Sequence, residues 1–258
     1  MKIAAIQHDI VWQDGPATRK SLEPLIASAA SSGARLIALT EMYATGFSMD
    51  PDRVAEDQGG PNEQFLLDQA REHGVWVVGS IAQRGEDGRA RNVAVLAAPD
   101  GSTHRYIKIH PFSYAGEDKH YAAGTQFCTV NVEGLRVSLF VCYDLRFADE
   151  FWQVAAQTDL YVVVANWPAV RREHWRALLQ ARAIENQAYI LGVNRVGRAG
   201  KDDHVGDSAI IDPLGQRLTE AAHIETVLIA EVTGGQVAEV RSRFPFMADR
   251  RPVSPRST

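Results

Sequence analysis

Three polar residues that could take part in acyl-transfer chemistry each come directly after a run of apolar residues: Glu41, Cys142 and Asn166. The apolar runs are predicted to be strands. In open α/β sheets, ligands bind outside the carboxyl ends of the strands. If these three strands are neighbours, their polar side chains converge on one crevice, where a thiol and a carboxylate could act together on a carbonyl group.

Cys142 is the candidate nucleophile. It precedes a helix predicted over 147–157, so the helix N-terminus and nearby cations could favour its thiolate. The backbone N–H of Tyr143 would then be placed to receive an oxyanion. The alternative is a buried structural thiol, because free cysteine is among the most buried residue types. Cys128 lies in a strand-like run without acid–base neighbours, and we expect that thiol to be part of the core.

Glu41 and Lys108 are the candidate partners of the thiol. Glu41 precedes an unusually apolar and aromatic connection, 42–47, which favours a buried acid–base role, with helix capping or ion pairing as the alternative. Lys108 stands between two isoleucines, so on a strand its neighbours face the opposite side. Near a thiolate it could hold the charge of a tetrahedral intermediate, although an isolated lysine is more often a surface residue.

Two further assignments stay open at this level. Glu117 could steady Lys108, but the charged segment around it, 114–120, favours a solvated loop. A Cys–His pair with His110 or His174 is also possible, while no H-x-x-x-H, G-x-S-x-G, P-loop or G-x-G-x-x-G pattern is present in the sequence.

The elements that must position these residues alternate between strands and helices. Near-continuous Val, Ile and Leu runs predict strands covered on both faces. Asp100-Gly101 predicts a hairpin turn, Asn62 a helix N-cap and Gly33 a helix C-cap. The mixture favours an α/β layered fold with a mixed sheet. The predicted strands cover 3–6, 35–39, 75–81, 93–96, 104–109, 136–141, 160–165, 189–193, 208–211 and 227–232, and the predicted helices cover 18–32, 62–73, 147–157 and 173–187.

Length and composition narrow the class of protein. A chain of 258 residues fits one domain, 1–258, ending in an arm from about residue 247. A net charge of −5 without a long basic run argues against nucleic-acid binding. Two cysteines without C-x-x-C spacing exclude a disulfide framework and argue against zinc. No stretch is apolar enough to cross a membrane, and the first residues lack a signal-peptide core, so we expect a cytoplasmic protein.

Three segments resemble the signature segments of the nitrilase, or carbon–nitrogen hydrolase, superfamily. They occur in the order of that family and surround Glu41, Lys108 and Cys142. The resemblance extends from about residue 3 to residue 246. The segments are LTEMY at 39–43, YIKIH at 106–110 and VCYDLRF at 141–147.

The resemblance implies a four-layer αββα sandwich that usually pairs into a homodimer. It also implies roles by position: Glu41 as general base and acid, Lys108 as the group that stabilises the tetrahedral intermediate, and Cys142 as the nucleophile. Glu117 matches an additional glutamate often found in these sites, which reverses the preference for a solvated loop. No metal or organic cofactor is implied.

The segments EMYATGFS at 41–48 and ANWP at 165–168 are similar to those of bacterial omega-amidases, which release ammonia from small 2-oxo acid amides such as 2-oxoglutaramate. Such a substrate carries a carboxylate, so an arginine in the pocket is expected. Arg146 and Arg171 are the candidates, with a structural ion pair as the alternative for each. Tyr43, Phe47 and Trp167 are the expected pocket walls.

Other functions remain open. Within the superfamily, the alternatives are an amidase for deaminated glutathione or for an N-carbamoyl amino acid. From other classes, the chain could be a non-catalytic binding module on the same fold, or a redox protein that uses Cys128 and Cys142. The intact Glu41, Lys108 and Cys142 set argues against the binding module, and the spacing of the cysteines gives no support to the redox protein.

Overall fold

Two mixed β-sheets lie face to face, and helices cover the outer face of each. The computed structural model describes residues 1–251. The strands are β1 (Lys2–Gln7), β2 (Ala34–Ala38), β3 (Trp76–Arg84), β4 (Ala90–Ala97), β5 (Thr103–Ile107), β6 (Thr129–Val132), β7 (Leu135–Val141), β8 (Leu160–Ala165), β9 (Tyr189–Asn194), β10 (Val196–Ala199), β11 (Asp202–Ile211), β12 (Arg217–Ala222) and β13 (Thr226–Glu231). The helices are α1 (Gly15–Ser31), α2 (Pro51–Val54), α3 (Pro61–His73), α4 (Glu117–His120), α5 (Ala148–Val154), α6 (Arg172–Asn186) and α7 (Gly234–Arg243).

Each sheet has a parallel centre and antiparallel edges. The first sheet has the strand order β13-β1-β2-β3-β4-β5, in which β1, β2 and β3 are parallel. The second has the order β10-β11-β9-β8-β7-β6, with β12 paired to β11, and here β7, β8 and β9 are parallel. Parallel neighbours require crossover connections, and α1, α3, α5 and α6 supply them.

The alternation of side chains along β1 explains why two layers meet on the first sheet. Ile3 and Ala5 belong to the core cluster that also contains the strands of the second sheet. Ala4 and Ile6 point the other way, into a cluster with α1 and α3. Because successive side chains of a strand face opposite sides, an uninterrupted apolar run such as β1 is buried on both faces.

On the second sheet, α6 approaches β9 closely at Gly192. A β-carbon at this position would lie 2.5 Å from Cδ1 of Leu179 and 3.1 Å from the ring of Trp175, so a larger residue would require the Leu179 side chain to move. Helices therefore cover both outer faces, and the predicted α/β sandwich with four layers, αββα, is confirmed.

Several local predictions need correction. The N-cap of α3 is Gly60, not Asn62. Asn62 lies inside the helix, where its backbone N–H donates to the carboxylate of Glu56 at 3.0 Å. The helix predicted over 147–157 is the shorter α5 followed by a 3₁₀ turn. The short strands β10 and β12 were not predicted, and β6 overlaps only the end of the strand-like run that contains Cys128.

The predicted arm at 247–258 is described as far as residue 251, and residues 252–258 lie outside the described part. Residues Phe246–Asp249 form a 3₁₀ turn. Arg250 donates to the carbonyl oxygen of Glu185 at 2.9 Å, which ties this part of the chain to the end of α6. Among residues 1–251, no helix is both long and apolar enough to cross a membrane.

Candidate active site

The structure brings Glu41, Cys142 and Asn166 together at one edge of the sandwich. β2 lies in the first sheet, and β7 and β8 lie in the second, yet all three carry their polar residue just beyond the carboxyl end. The backbone N–H of Asn166 donates to Oε2 of Glu41 at 2.9 Å. The Asn166 side-chain amide donates to the carbonyl oxygen of Glu41. The crevice is therefore formed between the two sheets and not within one sheet.

Lys108 lies between two buried carboxylates. Its Nζ atom is 2.8 Å from Oε1 of Glu41 and 2.8 Å from Oε2 of Glu117. All three side chains are at most 1% exposed. Burial by itself lowers the pKa of Lys108, but the negative charges of Glu117 and Glu41 outweigh it and raise the pKa above its ordinary value. Lys108 is therefore a fixed cation at neutral pH.

Glu117 is the first residue of α4, directly after Gly116 in the left-handed conformation. Its carboxylate also accepts the backbone N–H of Phe112 at 2.5 Å. The side chain is thus buried and held by Lys108, so the solvated-loop alternative for Glu117 is wrong.

Asn92, which no sequence pattern marks as a site residue, joins the two carboxylates. Its Nδ2 atom donates to Oε1 of Glu41 at 2.8 Å and to Oε1 of Glu117 at 3.0 Å. Its Oδ1 atom accepts the hydroxyl of Ser80 at 2.8 Å. The hairpin predicted at Asp100-Gly101 could have indicated that Asn92 lies beside Lys108. Its register pairs residue 93 with residue 107 and so places Asn92 opposite Lys108.

Cys142 begins a 3₁₀ helix, Cys142–Arg146, and has a positive φ of 44°. Left-handed backbone is costly for a residue with a side chain, so the surrounding contacts must hold this turn. Burial, then the negative charge of Glu41, raises the pKa of the thiol well above its ordinary value, and Lys108 opposes them only in part. The expectation of a favoured thiolate is therefore wrong, and the resting group is a neutral thiol beside a carboxylate.

Cys128 differs from Cys142 in its surroundings. It is partly buried against the core, and burial is the cause that raises the pKa of its thiol to about 11. Both cysteines are free in the structure. The expected core role of Cys128 fits this position.

A cavity of about 200 Å³ opens above Cys142. Phe47, Tyr143 and Trp167 form part of its wall. Tyr43, expected in the same wall, lies instead on the far side of the first sheet, where it is fully buried and its hydroxyl donates to the carbonyl oxygen of Asn62 at 2.6 Å. The reason is the turn at 42–46, which sends consecutive aromatic residues in different directions.

Comparison with known proteins identifies the family. The model of the carbon-nitrogen hydrolase family matches residues 2–242. The omega-amidase YafV of Escherichia coli K12 is 39% identical, covering 96% of each chain, and the 2-oxoglutaramate amidase of Bacillus subtilis is 31% identical, covering 96% of this chain and 97% of its own. A CN-hydrolase superfamily protein from Xanthomonas campestris superimposes with a TM-score of 0.93 at 36% identity, covering 98% of both chains. The chain belongs to the carbon-nitrogen hydrolase family. The resemblance noted in the sequence is confirmed, and the protein is a hydrolase of carbon–nitrogen bonds.

Two arginines line the pocket of this carbon-nitrogen hydrolase. The guanidinium of Arg146 lies 4.8 Å from the ring centroid of Trp167, and that of Arg171 lies 5.2 Å from the ring of Phe112. Within residues 1–251 neither makes an ion pair with a carboxylate, whereas the neighbouring Arg172 pairs with Asp207 at 2.8 Å. Both pocket arginines can therefore meet an anionic ligand.

The two histidines of the alternative Cys–His pair are engaged elsewhere. His110 lies 3.0 Å from the Glu150 carboxylate and stacks on Phe147 with ring centroids 3.6 Å apart. Nη2 of Arg146 donates to Nδ1 of His174 at 3.2 Å. No hydrogen bond joins either ring to Cys142 in the described part of the chain, so the structure gives no support to a Cys–His pair.

Other lining residues of this carbon-nitrogen hydrolase gave no signal in the sequence, because distant segments carry them to the pocket: Trp12, Met49, Phe112, Asp202 and His204. Over residues 1–251, no group of three His, Cys, Asp or Glu side chains is arranged to hold a metal ion.

Proposed function

We propose that this protein is an omega-amidase, which converts 2-oxoglutaramate or a related omega-amide of a small acid to the free acid and ammonia. The observation that carries the proposal is the fixed Lys108 cation between Glu41 and Glu117. Its charge acts on the thiol of Cys142, which lines a pocket together with Arg146. The relatives named omega-amidase and 2-oxoglutaramate amidase, each matched over 96% of this chain, support it.

In the first step, Glu41 takes the proton of the Cys142 thiol while sulfur attacks the amide carbonyl carbon. The raised pKa of the thiol, caused first by burial and then by Glu41, makes this transfer part of the attack and not a resting equilibrium. Glu41 is held for this role, because Oε1 accepts from Lys108 and Oε2 accepts from Asn166.

The carbonyl oxygen becomes an oxyanion as the carbon–sulfur bond forms. Lys108 and the backbone N–H of Tyr143, in the first turn of the 3₁₀ helix, are its donors. Glu117 keeps the Lys108 ammonium in place through the 2.8 Å contact. These donors are fixed before the reaction, so little reorganisation opposes the charge that develops.

Collapse of the intermediate breaks the carbon–nitrogen bond, and protonated Glu41 delivers its proton to the departing ammonia. The product is a thioester on Cys142. Glu41 then takes a proton from water, the hydroxide attacks the thioester carbon, and the acid leaves with regeneration of the thiol.

The far end of the substrate is assigned to Arg146. A guanidinium over an aromatic face, without a carboxylate partner, is suited to bidentate recognition of a carboxylate. Phe47 and Trp167 enclose the short methylene chain between the two ends.

We also propose a cytoplasmic homodimer. Its support is a set of exposed apolar side chains around α5, α6 and the following segments, because a group of neighbouring exposed apolar residues, unlike a single one, is typical of an interface. Their exposed fractions are 38% for Trp152, 50% for Ile184, 49% for Leu214 and 60% for Phe246. Sedimentation velocity of the wild type and of Ile184→Asp tests the dimer, and a monomeric wild type overturns it.

The deciding experiment measures ammonia release from 2-oxoglutaramate, glutamine, a nitrile and an N-carbamoyl amino acid, with hydrolysis of deaminated glutathione followed in parallel. Wild type, Cys142→Ala and Cys128→Ala are compared. Release from 2-oxoglutaramate that is lost in Cys142→Ala and kept in Cys128→Ala supports the proposal. Turnover of another substrate that depends on Cys142 would keep the mechanism and reject the omega-amidase assignment.

A further inference from the structure

Asp144 is a buried carboxylate two residues after the proposed nucleophile, and no step of the proposed amide hydrolysis uses it. It is fully buried and accepts three hydrogen bonds. Oδ2 accepts the hydroxyl of Tyr106 at 2.9 Å and the backbone N–H of Val141 at 3.0 Å. Oδ1 accepts the backbone N–H of His110 at 2.9 Å.

The three donors come from both halves of the active site. Val141 is the last residue of β7, in the second sheet, and directly precedes Cys142. Tyr106 and His110 stand two residues before and two residues after Lys108, at the end of β5 in the first sheet. One carboxylate therefore ties the segment that carries the nucleophile to the segment that carries the fixed cation.

If Asp144 only held the turn after β7, its side chain would not need to be charged. In the described part of the chain, Asp144 has no Lys, Arg or His within ion-pair distance, so its charge is compensated mainly by the three donors. Burial raises the pKa of this carboxyl to about 6, although Lys108 and the three hydrogen bonds lower it. A buried carboxylate without an ion-pair partner is destabilising relative to an uncharged group, which indicates that the arrangement serves the site.

The backbone of Cys142, close to Asp144, has a conformation that neighbouring contacts must hold in place. Cys142 has a φ of 44°, a conformation that persists only where its surroundings enforce it. Oδ2 of Asp144 accepts the N–H of the preceding residue, Val141, at the point where the chain turns from β7 into the 3₁₀ helix.

We propose that Asp144 is a positioning residue for the acyl transfer, which fixes the Cys142 sulfur relative to the Lys108 ammonium by joining the two segments that carry them. This inference rests on the proposed amide hydrolysis at the same site. Asp144 does not line the pocket, so its loss changes the geometry of the transition state without removing a contact to the substrate. The expected signature is a fall in kcat with little change in KM.

The test compares Asp144→Asn and Tyr106→Phe with Asp159→Asn. Asp159 is the matched control, because it is also a buried carboxylate that accepts a backbone N–H of β7, from Arg136 at 3.0 Å, but at the opposite end of the strand. We expect Asp144→Asn to lower kcat by about 100-fold, as for a displacement of about 1 Å in a reacting group, and to change KM by less than about threefold. Tyr106→Phe removes one of three hydrogen bonds and is expected to lower kcat by a smaller factor.

Asp159→Asn is expected to keep kcat within about threefold even where its melting temperature falls. A wild-type kcat in Asp144→Asn, or an equal loss of kcat in Asp159→Asn, overturns the proposal. A rise in KM at constant kcat in Asp144→Asn overturns it as well.

A second measurement separates this proposal from the choice of substrate. Succinic semialdehyde carries a carboxylate and an aldehyde, and its carbonyl carbon can add the Cys142 thiol to give a hemithioacetal, with the thiol proton ending on the former carbonyl oxygen. Its affinity is read from the protection of Cys142 against iodoacetamide, with no turnover required. Weaker protection in Asp144→Asn than in the wild type and Asp159→Asn supports the positioning role, and equal protection in all three overturns it. Absence of 2-oxoglutaramate hydrolysis by the wild type would reject the omega-amidase assignment alone.

Discussion

The backbone N–H of Asn166 donates to Oε2 of Glu41 at 2.9 Å, although the two residues follow strands of different sheets. Oε1 of the same carboxylate accepts from Lys108 and from Asn92, each at 2.8 Å. Both oxygens are thus held by donors from separate parts of the fold. A carboxylate fixed in this way can move a proton to or from a neighbour without first reorienting.

Glu41→Gln tests this role. The glutamine amide cannot accept the thiol proton. Its NH₂ group must also face one of the donors that now hydrogen-bond to the Glu41 carboxylate. We expect kcat to fall by about 10²- to 10⁴-fold, the usual contribution of general acid–base catalysis. The control is Glu133→Gln, which affects only the exposed ion pair with Arg35. Steady-state ammonia release measures both variants, and a Glu41→Gln rate within tenfold of the wild type would contradict the assignment.

The reactivity of the two thiols gives an independent prediction. Burial raises the pKa of Cys128 to about 11, so about one thiol in 10³ or fewer is ionised near neutral pH. Cys142 also has a raised pKa, but Glu41 can take its proton and the pocket admits a small reagent. Iodoacetamide should therefore label Cys142 before Cys128. Peptide mapping by mass spectrometry measures both rates, and preferential labelling of Cys128 is the opposing outcome.

Asn92 is predicted to matter for both rate and stability. Asn92→Ala removes the donors that Glu41 and Glu117 now share and leaves the Ser80 hydroxyl without its acceptor. Loss of these buried hydrogen bonds should lower the free energy of unfolding by about 1–3 kcal/mol and kcat by about tenfold. Asn131→Ala, at an exposed turn where Asn131 accepts the N–H of Gly134, is the control. Urea unfolding and ammonia release measure the two effects, and an unchanged kcat would show that Asn92 is only structural.

The predictions from the sequence agree best with the structure for site residues that lie just beyond the end of a buried strand. Glu41 and Cys142 could be placed because each ends an apolar run, and such runs are buried strands with a defined carboxyl end. Asn92 lies within β4, where a polar residue looks like any other strand position until its pairing with Lys108 is known. The pairing of residues across a hairpin could be predicted from the turn. The contacts between side chains of different sheets could not.

The pocket walls were less predictable for a physical reason. Tyr43 and Phe47 come from one aromatic segment, yet only Phe47 reaches the pocket because the turn at 42–46 reverses the chain between them. Trp12 and His204 reach it from widely separated parts of the chain. Such contacts depend on how loops are packed, which has no period in the sequence.

Substitutions of the two pocket arginines should differ in their effects on charged and neutral substrates. Arg146→Met removes the proposed partner of the substrate carboxylate, and we expect KM for 2-oxoglutaramate to rise by about 10- to 100-fold, the value of a charged hydrogen bond. Arg171→Met is the matched variant, since Arg171 lies over Phe112 and also lines the pocket. Hydrolysis of a neutral amide such as butyramide should be unaffected in Arg146→Met. A larger effect in Arg171→Met would reverse the assignment of the two residues.

The raised pKa of Asp144 leads to an unusual pH dependence of stability. Burial raises its pKa in the folded state to about 6, above the ordinary value of 3.8, despite the neighbouring Lys108, Tyr106 and His110. Between these values the folded protein binds a proton that the unfolded chain does not bind. Its contribution to the free energy of unfolding therefore rises as pH falls through about 6 and is lost again as pH increases.

Asp144→Asn isolates this contribution, because all other titrating groups remain in both proteins. On lowering the pH from 7 to 5, the wild type should gain about 1 kcal/mol of unfolding free energy relative to Asp144→Asn. Over the same range kcat of the wild type should fall, since a protonated carboxyl has less capacity to accept the N–H groups of Val141 and His110. Urea titrations and initial rates at matched pH values measure the two trends. A difference in stability that does not change with pH, or that changes in the opposite direction, would show that Asp144 does not titrate in this range.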